Sequence, residues 1–135
     1  MKKHIQEIRH DVIPLKEGVR LAYRAWMPVD ANQRPVPAIL EYLPYRKSDG
    51  TVARDEITLP ATAAHGYARS RVDIRGTGES DGLYDAEYSE QELSDAEQVI
   101  DWISRQTWCN GNVGMVGISW GGFNALQLAF RQPPA

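Results

Sequence analysis

"NVGMVGISWGGFNALQLA", residues 112–129, decides how this chain is read. The apolar run "VGMVGI" (113–118) leads into Ser119, and behind the serine comes a helical pattern, "WGGFNALQLAFRQ", stopped by Pro133 and Pro134. A serine set where a strand turns sharply into a helix is lifted clear of the sheet with its hydroxyl exposed. That turn crowds the residues two before and two after the serine, so both must be small. Gly117 and Gly121 meet the need, and Gly122 gives further room. The helix starting directly behind Ser119 aims its first N–H groups at developing negative charge. Ser119 is the candidate nucleophile, and the backbone N–H of Trp120 is the candidate first donor of an oxyanion hole. The pentapeptide alone is weak; the strand before it and the helix after it give it weight.

Upstream, the chain opens with two alternating runs. In "HIQEIRHDVI", Ile8, His10 and Val12 share one face and Glu7, Arg9 and Asp11 the other. "VRLAYRAWM" sets Val19, Leu21, Tyr23, Ala25 and Met27 opposite Arg20 and Arg24. Period two predicts half-buried strands, joined as a hairpin at a sheet edge through Gly18, which can take the positive φ of a tight reversal. The pattern then changes. "AILEYL" (38–43), "RVDI" (71–74) and 113–118 are short apolar runs of the kind that suits parallel strands covered on both faces. Helices are predicted between them, in "TLPATAAHGYA", ending at Gly66, and in "SEQELSDAEQVIDWISRQ". The second carries an apolar stripe of Leu93, Ala96, Ile100 and Ile103, and a capping box in Ser89 and Glu92. The expected class is α/β: an antiparallel hairpin followed by right-handed βαβ units, about five strands in all.

Composition narrows the function. The chain has 135 residues, 42% of them apolar, and a net charge of -3 with no basic cluster, which argues against a nucleic-acid partner. No stretch approaches the ~18 apolar residues of a membrane span, and "MKKHIQEIRHD" lacks the apolar core of a secretory signal. Cys109 is the lone cysteine, expected as a small buried hydrophobe in a cytoplasmic protein. In "RVDIRGTGESDG" the spacing of Gly76, Gly78 and Gly82 is not the dinucleotide fingerprint, and the next helix starts too late to face a pyrophosphate. Asp73 and Arg75 are expected as a charged support at that strand's end, and Asp81, Asp85 and Glu87 as a solvated acidic loop. No metal or organic cofactor is expected.

"PYRKSDG", "VDIRGTGESDG" and "DWISRQTWCNGNVGMVGISWGGFNALQLA" together resemble the X-Pro dipeptidyl-peptidase and cocaine-esterase-like group of serine hydrolases. The resemblance runs over nearly the whole chain. It implies an α/β-hydrolase fold and an acyl-enzyme route on ester or amide substrates, small molecules or X-Pro peptides. It puts the nucleophile on Ser119 and one oxyanion donor on the Trp120 N–H. The tyrosine of the family's "PY" motif, whose hydroxyl supplies the second donor, falls on Tyr45. A phenol can donate to an alkoxide, so the chemistry agrees.

The general base is then missing. Chain order in this fold is serine, acid, histidine. His4, His10 and His65 all precede Ser119, and none of the sixteen residues after it is Asp, Glu or His. The sheet order expected of the fold begins 1-2-4-3-5, which leaves the serine strand a bare edge. Residues 1–135 are accordingly expected to be a single incomplete domain, the N-terminal portion through the serine turn and its helix. The acid and histidine would come from the C-terminal portion of the same enzyme. The alternative is a catalytically silent truncated product, or a module that binds a partner by strand addition at its open edge.

Overall fold

The computed structural model describes residues 1–135. Two strands, β1 (Ile5–Pro14) and β2 (Arg20–Pro28), pair antiparallel as a hairpin. Three parallel strands follow, β3 (Val36–Leu43), β4 (Ala68–Asp73) and β5 (Cys109–Met115). They are linked by helices α1 (Val52–Ala63) and α2 (Glu90–Ser104), and α3 (Trp120–Arg131) closes the series. The sheet order is β1-β2-β4-β3-β5, with β2 antiparallel to β4. This is the expected α/β arrangement, and β5 pairs with β3 alone.

The two faces of the sheet are held differently. Ala38, Leu40 and Tyr42 of β3, Ala68 and Val72 of β4, and Leu21, Tyr23, Ala25 and Met27 of β2 point to the side of α2 and α3. There they meet Ala96, Val99, Ile100, Ile103 and Leu128 in one apolar core. The α1 side carries only a small apolar cluster of Trp26, Leu59 and Ala63. Beside it lies an ion cluster: Arg71 reaches Asp55 of α1 at 2.9 and 2.6 Å and Glu41 at 3.1 Å, and Arg54 and Arg69 also reach Glu41. Arg71 and Asp55 are fully buried, so each needs the other to offset lost hydration.

Several local expectations change. A bulge between Ile8 and Asp11 adds one residue to β1, so Ile8, Asp11 and Ile13 share one side of the strand, with Asp11 still exposed, while His10 and Val12 do not follow Ile8. Asp11 there helps burial push the Tyr23 phenol up to about 12. β2 is covered on both faces rather than half-buried, because Arg24 and Trp26 lie under α1, the guanidinium stacked 4.4 Å from the indole centroid. α1 starts at Val52 and keeps Pro60 inside it, six residues earlier than its alanine-rich part suggests. β4 begins at Ala68, and β5 runs from Cys109 to Met115 rather than 113–118. β5 is also largely exposed, unlike β3 and β4, because nothing lies beyond it. Arg75 turns away from Asp73 to bind Asp95 and Glu17, and Asp81 pairs with Arg20 instead of standing free in solvent. Cys109 is buried in the core, as its type suggests. No helix is long and apolar enough to cross a membrane.

Candidate active site

The turn between β5 and α3 is built from backbone contact. Val116 N–H gives the last bond to β3, on Leu40 O at 3.1 Å, and the first helical bond runs from Phe123 N–H to Ser119 O at 2.9 Å. Between them Ser119 takes φ 56° and ψ −120°, a conformation an L residue holds only when its surroundings enforce it. The enforcement is visible. A Cβ on Gly117 would lie 2.2 Å from the Gly121 carbonyl carbon and 2.6 Å from Gly122 N. One on Gly121 would come within 3.1 Å of Leu43 Cδ2, and one on Gly122 within 3.1 Å of Gly117 O. The backbone of 117 thus packs directly on 121–122 and leaves Ser119 exposed at the crest. Trp120 is the first residue of α3, so its N–H has no carbonyl a turn behind it within the helix.

Glu92 ties this turn to α2, a role the sequence did not disclose. Ser89 Oγ accepts the Glu92 N–H at 3.2 Å, the first half of the expected capping box. The second half differs: Glu92 Oε2 accepts from Tyr88 N–H at 2.8 Å, one residue earlier. Its other oxygen accepts the Trp120 indole N–H at 2.6 Å and Asn124 Nδ2 at 2.9 Å. The same Asn124 amide reaches Tyr42 O at 3.1 Å, and the Tyr42 hydroxyl donates to Glu92 O at 3.0 Å. Burial, with Asp95 and Glu92 near, pushes the Tyr42 phenol well up, which keeps it a proton donor. Only an acid three residues behind an N-cap marks Glu92 in the sequence; its partners lie up to 32 residues on.

Tyr45 follows β3 by two residues, and β3 and β5 run parallel, so Tyr45 and Ser119 stand at the same end of neighbouring strands. Tyr45 is 39% exposed. The Tyr88 phenol is pushed up by lost solvation and by the charges of Glu87, Tyr45, Glu92 and Tyr84. The Tyr88 ring leans on Trp120 (centroids 5.2 Å apart) and Phe123 (5.5 Å), and Tyr84 approaches Trp120 at 6.2 Å. On the other flank, Ser119 borders an open apolar depression of about 530 Å³ between the end of β5 and α3, walled by Val116, Phe123 and Leu126. No histidine hydrogen-bonds Ser119. His4 precedes β1 at the far edge of the sheet. His10 Nδ1 meets Lys47 Nζ at 3.1 Å, and His65 Nδ1 meets Ala61 O at 2.8 Å beyond the end of α1.

Residues 17–135 match the family described as X-Pro dipeptidyl-peptidase (S15 family). A cocaine esterase from Rhodococcus sp. is 37% identical over 119 residues, covering 87% of this chain and 20% of that enzyme. The crystal structure of a CocE/NonD family hydrolase from Staphylococcus aureus superposes with a TM-score of 0.82 at 19% identity, over 99% of this chain and 30% of the other. An α-amino acid ester hydrolase follows the same fold with a TM-score of 0.75 at 28% identity, over 97% of this chain and 24% of the other. The chain spans about a fifth of the length of the curated relatives it matches. A matched region that takes in the "PYRKSDG" loop, the glycine loop and the serine turn, on a sheet of matching order, makes the conclusion plain: the chain belongs to the X-Pro dipeptidyl-peptidase family.

Proposed function

We propose that residues 1–135 form the serine-bearing portion of a hydrolase that cleaves esters or amides, X-Pro peptides among them, through an acyl-enzyme. The observation that carries this reading is Ser119 at φ 56°, exposed on a turn whose two sides touch through glycine backbone. In this reading Ser119 Oγ attacks the substrate carbonyl carbon and its proton passes to a histidine. The carbonyl oxygen becomes an alkoxide, held by the Trp120 N–H and the Tyr45 hydroxyl. Collapse expels the alcohol or amine, which takes the proton from the histidine, and water then releases the acid by the same steps in reverse.

The acid and the histidine belong, in this proposal, to a C-terminal portion of the same enzyme that would pack beside β5, making 1–135 one incomplete domain. The chain's span of about a fifth of its relatives' length supports that reading. A buried lone cysteine suits a reducing, cytoplasmic setting. The test is to mix the chain with a polypeptide carrying the downstream portion and assay a chromogenic short-chain ester. Turnover that vanishes with Ser119→Ala supports the proposal; no turnover in a stable complex defeats it.

One observation favours a second reading. Val116, Ile118, Phe123, Leu126 and Phe130 are exposed beside the open β5 edge, as a surface that receives another polypeptide by strand addition would be. A stable complex that buries this edge but hydrolyses nothing would select the binding module.

A further inference from the structure

The loop carrying Tyr45 is fastened two residues further on, at a lysine that is wholly buried. Lysine is among the side chains least often hidden, so its partners must account for it. The Lys47 backbone N–H donates to Asp73 Oδ1 at 2.8 Å. Its ammonium pairs with Glu79 and lies 3.2 Å from Ser48 Oγ and 3.1 Å from His10 Nδ1. Ser48 Oγ donates to the same Glu79 oxygen at 2.7 Å, and Glu79 N–H reaches Asp73 Oδ2 at 3.3 Å. Main chain and side chain of Lys47 are therefore both held, by the carboxylates of Asp73 and Glu79, two residues joined through the Glu79 backbone N–H.

One glycine of the glycine loop closes over this lock. A Cβ on Gly78 would lie 2.1 Å from Asp73 Oδ2, and its φ is 53°, so only glycine lets the chain close over that carboxylate. Burial pushes the Asp73 carboxyl up, and the Lys47 and Glu79 N–H donors pull against it. On the Tyr45 side, Arg46 takes φ 61°, and a Cβ on Gly50 would strike Tyr45 O at 2.3 Å. The tyrosine backbone is thus pinched between Gly50 and the Lys47 anchor while its ring stays exposed.

We infer that Lys47, through Asp73 and Glu79, is a positioning residue that fixes the Tyr45 hydroxyl; this rests on the reading of Tyr45 as an oxyanion donor. The first experiment needs no catalysis. The chain is labelled with 3-fluorotyrosine and its Tyr45 fluorine resonance assigned with Tyr45→Phe. Lys47→Met is expected to move or broaden that line and leave those of Tyr23 and Tyr42 in place. Glu79→Gln, at a partly exposed partner, should do the same and serves if Lys47→Met does not fold. A Tyr45 line unmoved in the folded variants overturns the inference.

The second experiment uses the ester assay with the downstream portion. Lys47→Met should lower kcat about 10- to 100-fold with KM within twofold, less than the ~10²–10³-fold loss of a whole donor. Because the lysine acts only through the tyrosine, Tyr45→Phe/Lys47→Met should be no slower than Tyr45→Phe alone; additive losses overturn the inference. If the wild-type assembly hydrolyses nothing, the hydrolase proposal fails, and the fluorine spectra still decide whether Lys47 positions Tyr45.

Discussion

The indole N–H of Trp120 donates to Glu92 Oε1 at 2.6 Å, joining the first residue of α3 to the first turn of α2. One carboxylate with two oxygens thus serves Tyr88, Trp120 and Asn124. A glutamine keeps one acceptor and gains a donor that faces other donors. Glu92→Gln is therefore expected to destabilise the fold by about 1–3 kcal/mol. Urea denaturation followed by tryptophan fluorescence measures it.

Gly117→Ala should be far worse. Its new methyl would sit 2.2 Å from backbone that cannot retreat without opening the turn, and a loss above about 3 kcal/mol is expected. Gly114→Ala is the control, since its nearest neighbour is Ala38 O at 3.9 Å; it should change stability by less than about 1 kcal/mol. Paired thermal melts make the comparison.

Ser119 stores strain that a glycine would release. Ser119→Gly is expected to stabilise the chain by roughly 1 kcal/mol, the relief of positive φ exceeding glycine's entropy cost. Ser119→Ala keeps the strain and should leave the melting temperature nearly unchanged. A Ser119→Gly variant that melts below wild type would contradict this account of the turn.

Acid should act through the α1 face. Burial alone would raise the Asp55 carboxyl, but hydrogen bonds from Arg71 and Thr51 and the Arg71 charge outweigh it and hold the group below its ordinary range. A depressed folded-state pKa adds stability that is present above the unfolded value, about 4, and lost as pH falls below it. Asp55→Asn should cost about 3–5 kcal/mol at pH 7, because Arg71 is left buried without it, and should flatten the pH dependence below 4. Denaturation midpoints between pH 2 and 7 test both halves.

Much of the frame was legible because it rests on local pattern. The α2 stripe, the alternation of β2 and the strand–serine–helix order at 113–131 each follow from short-range spacing. What was lost depends on partners far along the chain. The β1 bulge inserts a single residue that no periodicity announces, so His10 was placed with Ile8 and Val12. The start of α1 rests on pairs made across the fold, Arg54 with Glu41 and Asp55 with Arg71, which the alanine-rich stretch from Thr58 does not announce. β5 starts at Cys109, ahead of the apolar run at 113, because Asn110 and Gly111 lie in a stretch where its register against β3 shifts. At the site, the placement of Ser119 followed from its glycines, whereas the Lys47–Asp73 bond joins residues 26 apart and could not be seen.

The unequal faces of the sheet give the molecule two separate ways to loosen. Apolar burial weakens on cooling, so near freezing the slab of leucine, isoleucine and valine under α2 and α3 is the first to soften. The arginine–carboxylate side answers to protons instead, and its helix loosens as Asp55 takes one up while the opposite layer still holds. A chilled sample and a sour one would come apart from opposite sides.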